Sequence, residues 1–236
     1  MANSIDVQRS QHTGKRILIA REHPSASSPY LRLEEKYKVK LDFHSFVSTT
    51  SISLPEFRKF KAKILAHPAL IFTNKAAIDH FFRLAKESNI QLPESTKYFC
   101  SSAPLTYYLQ KYIILKKRKV FSSEGPIADF FALLKKHKKE KFLVPSSNIS
   151  RKDVIQFLKE YHHTYARIVI YEVLHNDLTR IEMGEYELIV LFSVLDVESF
   201  VKNFPTPDLD STKLAVFGSA TARAVKEAGL VFHLYA

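Results

Sequence analysis

Cysteine occurs once in the 236 residues, at Cys100. A lone thiol excludes an intrachain disulfide and any CxxC metal or redox site, and it fits a chain kept in a reducing cytoplasm. Glycine is scarce as well, at Gly14, Gly125, Gly184, Gly218 and Gly229. Phosphate-cradling loops need clustered glycines, as in GxGxxG or GxxxxGK[ST], and neither pattern is present, so an ordinary dinucleotide or P-loop site is not expected. No apolar run approaches the roughly 20 residues of a membrane span. The opening MANSIDVQRSQHTGK lacks the apolar core of a secretory signal. Acidic residues are also in deficit: 24 Asp+Glu face 35 Lys+Arg, a formal charge of +11 and a pI near 9.6. Such a surplus asks for an anionic partner, whether nucleic acid, a membrane surface or an acidic small molecule.

What is present is the composition of a globular chain, 46% apolar and 25% charged, long enough for one large or two smaller domains. Short β-branched and aromatic runs at 16–20, 39–43, 70–73, 98–101, 120–122, 142–144, 167–173, 188–192, 214–217 and 230–234 read as strands. Between them lie amphipathic helical patterns. In 75–88, Ile78, Phe81, Phe82 and Ala85 recur at helical spacing, and in 151–161 Val154, Ile155, Phe157 and Leu158 do the same. Strand and helix in alternation, with near-continuous apolar strands such as LIVLF and RIVIY, predict an α/β fold with parallel sheets.

The chain also resembles itself. ALIFTNKAAIDHFF aligns with ELIVLFSVLDVESF at an offset of 120 where each strand ends in Phe and a hydroxyl residue (Phe72-Thr73 on Phe192-Ser193), and YFCSSAPLTYYLQKY with AVFGSATARAVKEAG at 117. RILIA and KFLVP match as opening strands. Two copies of a five-strand unit predict two similar domains. A cut at the lysine-rich stretch 135–141 gives consecutive domains, and an exchange of strands between the halves is equally compatible with the repeat.

In parallel α/β sheets, ligands bind beyond the carboxyl ends of the strands, where helix N-termini present free amides. Thr73 and Asn74, Ser101, Ser193, and Gly218, Ser219 and Thr221 occupy such positions. They can bind carboxylate or phosphate, or simply cap helices, and one hydroxyl can do both. Arg21 and Arg151 each follow a strand-terminal segment, and a guanidinium pairs an anion bidentately. The lysine runs KKRK (116–119) and KKHKKEK (135–141) read equally as solvated helix ends. The ten histidines form no HExxH, and the adjacent His162 and His163 point apart on a helix, so no metal site is expected. Cys100 reads as a buried small hydrophobe. Tyr171, in the long strand RIVIYEVLHND, can offer its hydroxyl as an acid or donor, or pack.

Taken in order, these segments resemble the uroporphyrinogen-III synthase family. The opening strand with a terminal Arg matches Ile17–Arg21, and the strand–FTS–helix segment is similar to IFTNKAAI, with Asn74 in place of the usual Ser. The GxxTA segment matches 218–222, while its earlier copy at 101–105 lacks both Gly and Thr. FLVPSSNISRKDVIQFL places Arg151 in the family's Arg position, Ile170-Tyr171 corresponds to its valine-tyrosine strand, and a weakened second FTS falls at Phe192-Ser193-Val194.

The resemblance implies two flavodoxin-like parallel-sheet domains joined by a two-strand linker, with a cleft between them. One domain would be discontinuous, 15–45 with 172–236; the other would be inserted, 46–171; and 1–14 would form a flexible tail. The implied reaction cyclises hydroxymethylbilane, a linear tetrapyrrole with eight carboxylates, to uroporphyrinogen III with inversion of ring D through a spirocyclic intermediate, a step of heme biosynthesis. It implies no cofactor, a cytoplasmic monomer, and a transient hand-over from the preceding enzyme. It further implies that Tyr171 assists departure of the terminal hydroxyl. Arg21, Thr73, Asn74, Ser101, Arg151, Ser193, Gly218, Ser219 and Thr221 would hold the substrate. Charge partitions accordingly: 46–171 carry +13 and the remainder −2.

Two other readings make different predictions. A non-catalytic two-domain binding protein for an anionic small molecule would leave the isomer ratio of spontaneous ring closure unchanged. A nucleic-acid-binding protein would bind with strong salt dependence, but no RNA- or DNA-binding motif accompanies the lysine runs.

Overall fold

The computed structural model describes residues 15–25, 28–149, 152–207, 209 and 211–236. The expected tail 1–14 and Arg151 lie outside them. The chain divides into two compact units. One takes the described residues through Ser48 together with His175–Ala236; the other is Thr49–Leu174.

The first unit is built on a parallel sheet of β1 (Arg16–Ile19), β2 (Lys40–Phe43), β9 (Leu188–Leu191), β10 (Lys213–Val216) and β11 (Leu234–Tyr235), in the order β11-β10-β9-β1-β2. Its core packs Leu18, Ile189, Leu191, Leu214 and Val216 against Val197 and Phe200 of α8 (Val194–Asn203) and Val225 of α9 (Ser219–Glu227).

The second unit carries a six-stranded sheet in the order β3-β8-β7-β4-β5-β6. Its strands are β3 (Val47–Ser51, which begins in the first unit), β4 (Ala69–Phe72), β5 (Lys97–Cys100), β6 (Val120–Ser122), β7 (Lys141–Ser147) and β8 (Thr164–His175). The five from β8 to β6 are parallel. One face packs Ile71, Phe99, Phe142 and Val144 against Phe130 and Leu134 of α6 (Ile127–Lys136) and Val154, Phe157 and Leu158 of α7 (Lys152–Glu160). On α4 (Lys75–Glu87), Phe81 sets its ring edge-on to both Phe57 and Phe72.

Numbered along the repeat, the first sheet and the five parallel strands of the second each have the order 2-1-3-4-5 of the flavodoxin-like fold, with β3 added at the edge of the second. The repeats are nevertheless interleaved. The first sheet joins β1 and β2 of one copy to β9, β10 and β11 of the other; the second joins β7 and β8 to β4, β5 and β6. Helix caps also move the repeat register by one residue. Asn74 and Ser193 are the N-caps of α4 and α8, and Ser102 and Gly218 those of α5 (Ala103–Leu109) and α9. Equivalent positions are therefore 119 and 116 apart, not 120 and 117.

Three strands illustrate departures from expectation. β3 has no apolar run to announce it, being Val-Ser-Thr-Thr-Ser. The last strand contracts from 230–234 to Leu234–Tyr235 because Leu230 ends the preceding helix: Gly229, at φ +74°, allows Leu230 N to reach Val225 O at 3.0 Å. β7 runs past Pro145 to Ser147, a tolerable course because pairing with β4 ends at Leu143.

Candidate active site

A β-bulge decides where Tyr171 points. Ser146 pairs with Val169 and Ser147 with Tyr171, so Ile170 is an extra residue in β8. Side chains alternate along a strand, and here burial falls on Ile168 and Ile170 before the bulge but on Tyr171 and Val173 after it. Bulges re-aim side chains in this way, though few occur between parallel strands. Had the alternation run unbroken through Ile170, Tyr171 would face the way Glu172 does, which is exposed.

The re-aimed phenol enters a pocket at the carboxyl ends of β4 and β7. Its volume is about 40 Å³, and its lining includes Thr73, Asn74, Ser146, Ser147 and Tyr171. Tyr171, only 3% exposed, donates its hydroxyl to Asn74 Oδ1 at 3.1 Å. The same oxygen accepts from Ala77 N at 2.8 Å and so caps α4. Burial pushes the Tyr171 phenol above its ordinary range, with hydrogen bonding to Asn74 and Ser147 opposing. The surrounding backbone is tied down: Asn148 N donates to Tyr171 O at 3.2 Å, and Asn148 Oδ1 accepts from Val173 N at 2.9 Å. Arg167 Nε donates to Ser146 Oγ at 2.9 Å, which passes its own hydrogen to Ile168 O at 3.2 Å. Ser101 lies one strand over, its backbone N–H bonded to Phe72 O at 3.0 Å, and does not line the pocket.

In the other unit, Arg21 follows β1 and lays its guanidinium over the Phe192 ring, 3.8 Å from the centroid, while Phe192 stacks on Phe217 at 4.9 Å. Ser193 Oγ accepts from Asp196 N at 3.2 Å, capping α8, and Asp196 accepts from Phe192 N at 3.1 Å. Burial raises the Asp196 carboxyl, with Ser193, the Phe192 amide and Arg21 pulling it down. Gly218 opens α9 at φ +81°, a conformation side-chain-bearing residues rarely adopt. Ser219 is exposed there and Thr221 buried. A cavity of this unit, about 320 Å³, is apolar, walled by residues such as Ile17, Leu41, Leu188 and Leu234.

Of the residues singled out in the sequence, Thr73, Asn74 and Tyr171 share one pocket, while Arg21 and Ser193 both neighbour Phe192. None of the lysines from the two runs lines the Tyr171 pocket; Lys135 and Lys136 fill the last turn of α6, and Lys135 sits 3.9 Å over the Tyr161 ring. Among the described residues, no three His, Cys, Asp or Glu side chains gather as a metal site would require, and no helix is long and apolar enough to cross a membrane. Sequence reasoning passed over His80, whose ring stacks on Tyr171 at 4.8 Å and 13°. The signal lay in the hydroxyl-rich run 48–51, whose Thr49 and Ser51 fall on one face of β3 and both bond His80.

The family profile described as uroporphyrinogen-III synthase HemD matches residues 43–236. The chain belongs to the uroporphyrinogen-III synthase HemD family. Two crystal structures share its fold at low sequence identity. A uroporphyrinogen-III synthetase from Helicobacter pylori is 17% identical with a TM-score of 0.67, and a mutant uroporphyrinogen III synthase from the extremely thermophilic bacterium Thermus thermophilus is 14% identical with a TM-score of 0.66. Each alignment covers 94% of this chain and 92% of the other. No curated protein sequence matches the chain. Membership in the uroporphyrinogen-III synthase family is thus carried by the profile, and the two structures agree on the fold.

Proposed function

We propose that this chain acts as a uroporphyrinogen-III synthase, closing hydroxymethylbilane to uroporphyrinogen III with inversion of ring D through a spirocyclic intermediate. Membership in the family carries the reaction. The difficulty to be overcome is one of orientation. The free bilane closes without inversion, so the protein must hold the substituted carbon of ring D against the electrophilic end of the chain, an effect of positioning.

Tyr171 is assigned the acid. Its proton passes to the terminal hydroxyl, the carbon–oxygen bond breaks, and water leaves; the phenolate regains a proton when the closed macrocycle loses one. The observation that carries this assignment is a buried phenol opening on a pocket of about 40 Å³ among Thr73, Ser146 and Ser147. The hydroxyls that line this pocket can hydrogen-bond the departing water. A phenol held above its ordinary range stays protonated at neutral pH, as an acid requires.

The substrate's carboxylates are assigned to the carboxyl end of each sheet. Thr73, Asn74 and Ser101 serve in one unit, Arg21, Ser193, Gly218, Ser219 and Thr221 in the other, with Arg151 as a further cation. Arg21 suits this role because Phe192 supports its guanidinium while leaving it exposed. The chain works as a cytoplasmic monomer that accepts its labile substrate from the preceding enzyme; the free, buried Cys100 fits a reducing compartment.

The test is to incubate the purified protein with hydroxymethylbilane and resolve the two product isomers. Uroporphyrinogen III in large excess is expected. A ratio equal to that of spontaneous closure contradicts the proposal.

A further inference from the structure

We propose that His80 is a positioning residue for Tyr171, its imidazole clamped by two strand hydroxyls and stacked on the phenol so as to aim the phenolic hydrogen. The inference rests on the acid role assigned to Tyr171.

Three observations carry it. First, the His80 and Tyr171 rings are nearly parallel, 13° apart with centroids 4.8 Å from one another, in the stacked geometry aromatic pairs favour. Second, the imidazole is held at both nitrogens. Nε2 lies 2.9 Å from Thr49 Oγ1, and Nδ1 is bonded to Ser51 Oγ. Ser51 also accepts from Arg83, itself paired with Glu87 at 3.0 Å, so its own hydrogen is free to go to Nδ1, leaving Nε2–H to donate to Thr49. A neutral ring with one acceptor and one donor satisfies both hydroxyls. Burial and the neighbouring Arg83 keep His80 below its ordinary range, against Asp79, which favours the neutral ring this arrangement needs.

The third observation concerns what the Asn74 bond leaves undone. The Tyr171 oxygen lies on the axis about which its ring turns, so the 3.1 Å bond to Asn74 fixes the oxygen and restrains the ring plane only through the phenolic hydrogen. That terminal torsion is intrinsically broad. A phenolic hydrogen prefers the plane of its ring, so the ring plane sets where the hydrogen points. His80 supplies the direct constraint: α4 holds the oxygen through its cap Asn74 and the ring through His80, six residues further on.

The test compares His80→Ala and His80→Phe, each in the wild-type and Tyr171→Phe backgrounds, by hydroxymethylbilane turnover and thermal melting. His80→Ala is expected to lower kcat about tenfold, the scale of a modest misplacement, while KM changes by less than about twofold because ground-state binding is untouched. His80→Phe restores a flat ring and recovers most of kcat. In the Tyr171→Phe background neither substitution lowers kcat further, since the hydroxyl they would aim is gone. If Tyr171→Phe is impaired while His80→Ala keeps wild-type kcat, or if the two losses multiply, the positioning role is overturned and the acid role stands. Failure of His80→Phe to recover kcat despite a wild-type melting temperature also overturns it. If Tyr171→Phe turns over at the wild-type rate, it is the acid role that fails.

Discussion

Tyr171 and Ala77 share one acceptor: the phenol donates to Asn74 Oδ1 at 3.1 Å, and the Ala77 amide donates to the same atom at 2.8 Å. The oxygen that caps α4 therefore also anchors the proposed acid. Asn74→Ala is expected to remove both functions. Losing an N-cap costs about 1 kcal/mol, a fall in Tm of roughly 2–4 °C for a chain of this size, and turnover should drop alongside. Asn74→Asp keeps an acceptor that suits the helix N-terminus, so its Tm should match wild type. Wild-type turnover in Asn74→Ala would separate the cap from the chemistry.

His163 makes the fold sensitive to acid. It follows α7 as the residue after His162, whose φ of +51° closes the helix. His163 is 6% exposed, its ring lies between Phe142 and Phe157, and neither nitrogen has a hydrogen-bond partner among the described residues. Burial, aided by Lys138, holds the imidazole below its ordinary range. The unfolded chain then binds a proton more readily than the folded one, so the contribution to stability is intact above about pH 6.5 and is lost as pH falls below it. Thermal melts should show Tm declining on acidification, with a shallower decline in His163→Phe. Identical slopes would refute this account.

Gly218 is required for its backbone and not for space. At φ +81° and ψ 149° it sits where only glycine is at ease, yet among the described residues, its two chain neighbours aside, no atom lies within 4 Å of where a Cβ would go. Gly218→Ala should therefore cost about 1–3 kcal/mol in conformational strain alone. The expected sign is a Tm lowered by several degrees in calorimetry; an unchanged Tm would show that the loop relaxes freely.

Cys100 should be inert in the folded protein. It is fully buried at the end of β5, and burial pushes its thiol up to about 11, against a bond to Thr106. Labelling with a thiol reagent at neutral pH is expected only in denaturant. Rapid modification of the native chain would contradict the packing described.

The sequence announced the strands that are apolar on both faces. ALIF and LIVL became β4 and β9 within one residue, because continuous burial leaves a continuous apolar run. β3 escaped notice because hydroxyls stand where apolar residues would, and those hydroxyls are the ones that hold His80. The bulge at Ile170 left no trace either: RIVIYEV reads as an unbroken strand, and only the pairing with Ser146 and Ser147 shows that one residue is extra. The repeat was legible but its interleaving was not, since which β-pair joins which triplet is settled by packing and not by local pattern. The strand-end residues were found by a positional rule, which located Thr73 and Asn74 without indicating that Ser101 would stand apart from their pocket, while Tyr171 was singled out by its long strand and the family resemblance.

The claim on which most depends is that the Tyr171 hydroxyl protonates the leaving group. Single-turnover cyclisation of hydroxymethylbilane by Tyr171→Phe tests it directly, because the substitution removes one oxygen and keeps the buried ring. A loss of about 100-fold or more in rate is expected for removal of a general acid, with the product shifting toward the uninverted isomer as spontaneous closure competes. A variant that forms uroporphyrinogen III at the wild-type rate and ratio would contradict the assignment.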